Sequence, residues 1–379
     1  MNIEVFAHLE VGSGGERVVT QADGGTLVCG GTRAPFAAVF SDATPPGAES
    51  VFASVVGPLV QAFVAGCDAT LLVLGESSTA KLPALAGRSG DERRHGLVHL
   101  AATALFDGDF SPAGPLGVPP ADYSTSFWEI NDEVITDLSN PDGAEPSIEV
   151  DPELGERVGD LTAVQVESTE QCVRAFKVGL SGVASGATKL GPSENRSSWC
   201  FSLRRSTRSG GHGDAADGST AGGDAAADAP PMWSTLSFVH LAGIEALAED
   251  ATHVELIGGP NLNRGITAFA AVVRTLADGA ARVSEAAYGS SKLTTLLKSA
   301  IGGNSQTRAL VPIRASNRSG DETNSMKLLE LCANLGRVTN HPVVGTAAAR
   351  GLEARYRRLI AAAAEVGDGG GGGGGGGGE

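Results

Sequence analysis

The residues best placed to do chemistry lie in "LLVLGESSTAKLPAL", positions 71 to 85, where Gly75 precedes Lys81 by six residues. A strand running into a glycine turn, then a lysine heading a helix, is the layout of a phosphate-binding loop, G-x-x-x-x-G-K-[ST]. Such a loop works because successive backbone N–H groups cradle phosphate oxygens while the lysine neutralises their charge. Gly75, Glu76, Ser77, Ser78, Thr79, Ala80, Lys81 and Leu82 are therefore candidate nucleotide-binding positions. Two departures matter. Ala80 replaces the second glycine, a position expected to need φ > 0 or close phosphate approach, at a strain of about 1 kcal/mol. Leu82 replaces the hydroxyl that would ligate Mg²⁺, which a hydrocarbon cannot do.

The elements that must position this loop are legible around it. "TLLVL" (70–74) reads as a buried strand. In 51–64 apolar pairs recur every four residues and predict a helix, which Gly57-Pro58 should bend. "STSFWEINDEVITDL" (124–138) reads as a hairpin about "NDE", and "STEQCVRAFKVGL" (168–180) as a capped helix. "LSFVHLAG" (236–243) is a further strand ending in small residues. "NRGITAFAAVVRTLADG" (263–279) and "SSKLTTLLKSAIGG" (290–303) read as helices with glycine stops. "GSGGE" (12–16) lacks a complete dinucleotide fingerprint and reads as a turn.

A chain of 379 residues with 41% hydrophobic and 19% charged residues has a globular composition. A formal charge of −16 argues against general affinity for nucleic acid or anionic membranes. The five cysteines form no C-x-x-C pair, which suits free thiols in a reducing compartment and gives no metal site. His95 and His99 lack the glutamate of a zincin, and no G-x-S-x-G supports a serine hydrolase. No signal peptide and no apolar run of membrane-spanning length are evident, so cytoplasm or cytoskeleton is the expected location.

Taken in order, these segments resemble the kinesin motor domain. "VFASVVGPLVQAFVAGCDATLLVLGESSTAKL" is similar to that family's helix, strand and phosphate loop, and "SFWEINDEVITDL" to its "SYLEIYNEKIYDLL". "ENRSSWCFSL" resembles the first switch, "NxxSSRSHxIF", and "LSFVHLAGIEAL" the second, "LNLVDLAGSER". "LNRGITAFAAVVRTLADG" and "SSKLTTLLKSAIGGNSQT" resemble the two segments that follow. The implied fold is one α/β domain, a central, mostly parallel sheet of about eight strands with helices on both faces. The resemblance divides the chain into a motor-like domain (1–338), a neck-linker and neck-like segment (339–365) and a glycine-rich tail (366–379). Residues 206–231, rich in Gly, Ala and Asp, are expected to form a disordered insertion between the switches.

The resemblance also assigns roles. Ser197 and Ser198 match first-switch serines, while Trp199, Cys200 and Phe201 stand where the family has Arg, Ser and His. The serine at 200 would help hold metal and water, and a thiol suits hard Mg²⁺ poorly. His240 replaces the aspartate anchoring the metal's water shell. Gly243 and Glu245 remain as switch remnants in the catalytic positions, but Glu245 has lost the arginine it would pair with at 199. The nucleotide-contacting "RxRP" run has become His8, Leu9, Glu10 and Val11. ATP is therefore expected to bind weakly, Mg²⁺ not to be held, and hydrolysis to be lost or strongly impaired. The alternative is an active ATP-dependent microtubule motor using altered ligands.

Lys292 and Lys298 match a helix that the family presents to acidic tubulin, whereas the loop at 244–256 carries Glu245, Glu249, Asp250 and Glu255 without a base. Microtubule binding is therefore expected to be weak. No heptad coiled coil follows the neck-like segment.

Overall fold

The computed structural model describes residues 1–11, 16–41, 48–77, 79–87, 95–116, 118, 120–151, 155–190, 197–207, 233–246, 263–279, 285–317 and 322–344. The segments expected to form the insertion and the glycine tail lie almost wholly outside these residues, as do Ser78 and most of the neck-like segment.

Among the described residues nine strands build the central sheet: β1 (Glu4–Glu10), β2 (Ala38–Ser41), β3 (Ala69–Val73), β4 (Asp122–Asn131), β5 (Val134–Asp137), β6 (Val164–Gln165), β7 (Ser198–Ser206), β8 (Trp233–His240) and β9 (Gln306–Arg314). Their order is β6-β4-β7-β8-β3-β9-β1-β2, with β5 paired to β4. From β8 to β2 all neighbours are parallel, while β4, β5, β6 and β7 form an antiparallel flank. The sheet is thus mixed. Strand β3, buried at every position, lies in its parallel middle, as its unbroken apolar run requires.

Helices cover both faces. On one, α1 (Gly57–Val64), α3 (Leu97–Phe106) and α4 (Thr169–Leu190) pack Leu59, Phe63, Leu105 and Phe176 against Leu71, Val73, Phe127 and Phe201. On the other, α5 (Arg264–Ala277) and α7 (Thr323–Leu335) pack Phe269, Val272 and Leu329 against Leu72, Ala309 and Val311. Helix α2 (Lys81–Ala86) starts directly beyond the phosphate-type loop, and α6 (Lys292–Leu296) lies after α5. Among the described residues no helix is long and apolar enough to cross a membrane, and all five cysteines are buried and free.

Local chemistry explains most of these boundaries. Asp132 and Glu133 both take φ > 0 in a two-residue turn, the geometry that closes the β4–β5 hairpin with the correct twist. The segment ahead of Gly57-Pro58 widens into a π turn, Phe52–Val56, because Pro58 supplies no N–H. Ser168 accepts from the Gln171 N–H at 3.3 Å and caps α4; Asn263 does the same for α5 through the Ile266 N–H at 3.1 Å.

One expectation fails. The helix expected across 290–303 ends at Leu296, followed by turns. Asn340, far along the chain, donates to the Ala300 and Ser305 carbonyls at 2.8 Å and accepts from the Gly302 N–H at 2.7 Å. That carboxamide holds the turns beyond the helix; of the three groups only the Gly302 N–H lies in the ladder that a helix over 290–303 would have used.

Candidate functional site

The loop between β3 and α2 opens at the end of a central parallel strand, where open α/β sheets place their ligands. Gly75 has φ +150°, and a Cβ there would approach the Pro312 carbonyl to 2.9 Å, so glycine is required. Ala80 takes φ −76° and ψ 33°, so this position does not require the positive φ that favours glycine.

Lys81 is only 1% exposed, and its Nζ donates to the Gly75 carbonyl at 2.9 Å and the Leu241 carbonyl at 3.0 Å. Burial lowers its pKa to about 8, against the pull of Glu245 and Glu76. Three of the loop's described backbone donors are also engaged. The Ser77 N–H donates to Glu245 Oε1 at 2.6 Å, the Thr79 N–H to the Glu76 carbonyl at 3.1 Å, and the Ala80 N–H to Glu10 Oε1 at 2.6 Å. Leu82 is exposed and offers the site no polar atom.

The switch-like strand ends sit beside this loop. Trp199 on β7 and His240 on β8 are cross-strand partners, stacked with ring centroids 5.0 Å apart and planes within 6°. Both are 1% exposed, and Trp199 also packs on Phe127 and Phe176. Burial, then the nearby Lys81 charge, pushes the His240 pKa down to about 3; its Nδ1 is buried without a hydrogen-bond partner. Ser198 Oγ accepts from the Ala242 N–H at 3.0 Å, and Ser197 hydrogen-bonds Glu129, whose pKa burial raises.

Cys200 lies away from this cluster. Strand alternation turns it to the opposite face from Trp199, beside Ser202 at 3.3 Å, in a cavity of about 230 Å³. Burial pushes this thiol up to about 11. Glu245, without an arginine at 199, is held by Ser77. Glu10, which the resemblance puts in the nucleotide-contacting run, reaches the loop from 70 positions away as an acceptor for the Ala80 N–H.

The expected track-facing lysines are both paired. Lys292 Nζ lies 3.4 Å from Glu145, and Lys298 Nζ 2.8 Å from Glu156. Glu133, projected by the β4–β5 turn, accepts from the Lys292 N–H and the Ser291 hydroxyl, each at 2.6 Å, and caps α6.

A phosphate-type loop after the central strand, with two neighbouring strand ends packed against it, defines a P-loop NTPase-like α/β domain. A family model described as the kinesin motor domain matches residues 28–329, and the chain belongs to that family. It is 26% identical over 310 residues to the kinesin-like protein KIF21B of Homo sapiens, covering 76% of this chain and 19% of that one. It is also 26% identical over 318 residues to the kinesin-like protein kif7 of Danio rerio, covering 81% and 22%. The chain thus spans about a fifth of the length of these relatives. A solved structure described as a fast kinesin superposes with a TM-score of 0.71 at 21% identity, over 90% of this chain and 93% of that one, and shows the shared fold.

The Lys81 environment predicts a pH signature. Its amine ionises more readily unfolded, so between pH 8 and 10.5 the unfolded chain binds more protons and stability rises with pH. Buried thiols such as Cys29, raised to about 11, oppose this above their ordinary value of 9.0. The native chain is therefore expected to gain about 1 kcal/mol relative to Lys81→Met between pH 8 and 9. Denaturant unfolding of both proteins across that interval checks it; parallel curves would mean that the buried amine keeps its proton and its ordinary pKa in the fold.

Proposed function

We propose that this chain is a kinesin-like motor domain that associates weakly with microtubules and no longer couples to Mg·ATP hydrolysis, acting as a cytoskeletal binding module. The observation that carries this is the buried Trp199–His240 stack. It puts an aromatic pair with a neutral imidazole where the family places an arginine and an aspartate. Leu82 adds a hydrocarbon, and Cys200 faces away. This donor set does not fit Mg²⁺, which asks for oxygens in near-octahedral array.

The weak filament contact follows from charge. Both expected track lysines are already partnered by carboxylates, and a formal charge of −16 repels an acidic surface. Co-sedimentation with microtubules is expected to show low-affinity binding that is the same with and without ATP. Microtubule-stimulated phosphate release is expected to equal that of Lys81→Ala. Release above that control would establish the alternative, a working motor with altered ligands.

A further inference from the structure

We propose that the phosphate loop is latched shut by two of the chain's own carboxylates, Glu10 and Glu245, which occupy two backbone donors, the Ser77 and Ala80 N–H groups, that a nucleotide's phosphates would take. The proposal deepens the functional reading above and rests on it. It turns an impaired nucleotide site into an internal carboxylate site.

The two acids arrive from different parts of the fold. Glu10 ends β1, and Glu245 follows β8, so each crosses a strand boundary to reach the same loop. Glu245 grips Ser77 twice, through the N–H at 2.6 Å and the hydroxyl at 3.2 Å. Glu10 takes the Ala80 N–H, also at 2.6 Å. Ionised acceptors at such distances make the stronger class of hydrogen bond. Between them the Thr79 N–H is turned inward to the Glu76 carbonyl. Three described donors of the loop are thereby satisfied without any anion from solution.

The surroundings fit the latch. Lys81 Nζ is committed to two carbonyls and lies within the field of Glu245 and Glu76. Gly243 leaves the space in which the Ser77–Glu245 pair forms, since a Cβ there would collide with Ser77 Oγ and Glu245 Oε2. A polyphosphate entering the loop must displace both carboxylates while meeting their charge.

The test uses the full chain in buffer containing EDTA, with inorganic pyrophosphate and ATP as probes, read by calorimetric titration and by melting temperature. The native chain is expected to show no shift at millimolar probe. Glu10→Ala with Glu245→Ala is expected to gain at least tenfold in affinity, and the corresponding Gln pair less than threefold, because an amide oxygen still accepts from N–H without the charge. Equal gains by both pairs would reduce the effect to long-range repulsion and overturn the latch. So would a folded alanine pair that gains nothing. Should that pair not fold, hydrogen exchange in the native chain decides: slow exchange at the Ser77 and Ala80 amides is expected, and exchange at open-loop rates refutes it. Neither filament nor metal enters these readouts. Hydrolysis by the native chain would sink the functional reading and the latch together, whereas an absent gain with hydrolysis also absent would sink only the latch.

Discussion

Acidification from pH 6.5 to pH 5 is expected to cost the native chain about 2 kcal/mol relative to a His240→Phe variant, and about 4 kcal/mol once the pH reaches 3. The sign follows from the imidazole's surroundings. In the unfolded chain His240 titrates near its ordinary 6.5; in the fold, burial and the Lys81 charge lower it to about 3. Between those values the unfolded chain holds a proton that the folded chain refuses. Stability is therefore fully present above pH 6.5 and is lost as the pH falls towards 3. Phenylalanine keeps the stack on Trp199 and removes the titrating nitrogen, along with the partnerless buried Nδ1. Chemical unfolding of both proteins at several pH values reads the difference directly, and other carboxylates cancel between them. A constant gap between the two curves would mean that water or a neighbour solvates the ring in the fold, contrary to its burial.

Much of this fold was written in short range. The strand at 70–74, the hairpin at 124–138, the capped helix from 168 and the helix at 263–279 all rest on periodicity, turn residues or caps within a few positions, and all appear. The motif likewise marked Gly75 and Lys81 as the loop's anchors. Illegible were the features made by contacts across the chain. The helix expected at 290–303 stops at Leu296, and the turns beyond it are held by Asn340, some forty positions on. Lys292 and Lys298 look free in a segment without acids, yet Glu145 and Glu156 reach them from an earlier part of the chain. Glu10 and Glu245 read as losses or remnants when compared with a motif, because a motif records which side chain is missing and not what the replacement grips. The face that Cys200 takes was not legible for a simpler reason: it depends on register, and one position separates the Trp199 side from the opposite one.

Restoring a single family residue is expected to damage this protein. Trp199→Arg, the change that would return the first-switch arginine, is expected to destabilise the fold by at least about 4 kcal/mol, from lost aromatic packing and a buried unpaired charge together. Trp199 is wedged among Phe127, Phe176 and His240, with Phe127 at 5.3 Å and Phe176 at 6.0 Å between ring centroids. A guanidinium there finds aromatic faces and a neutral imidazole, and Glu245, the carboxylate it would have met, is bonded to Ser77. The arginine must either stay unpaired in the core or draw Glu245 off the loop. Denaturant unfolding separates it from Trp199→Phe, which keeps an aromatic ring and is expected to cost less than half as much. Pyrophosphate binding by whatever fraction remains folded then tells the two fates of Glu245 apart, since only withdrawal from Ser77 opens the loop. A Trp199→Arg protein as stable as the native chain and still closed to pyrophosphate would show that the aromatic cluster is not what holds β7 to α4. The switch positions of this chain are therefore expected to behave as one packed unit, in which tryptophan, histidine and the two glutamates fit one another and no one of them reverts alone.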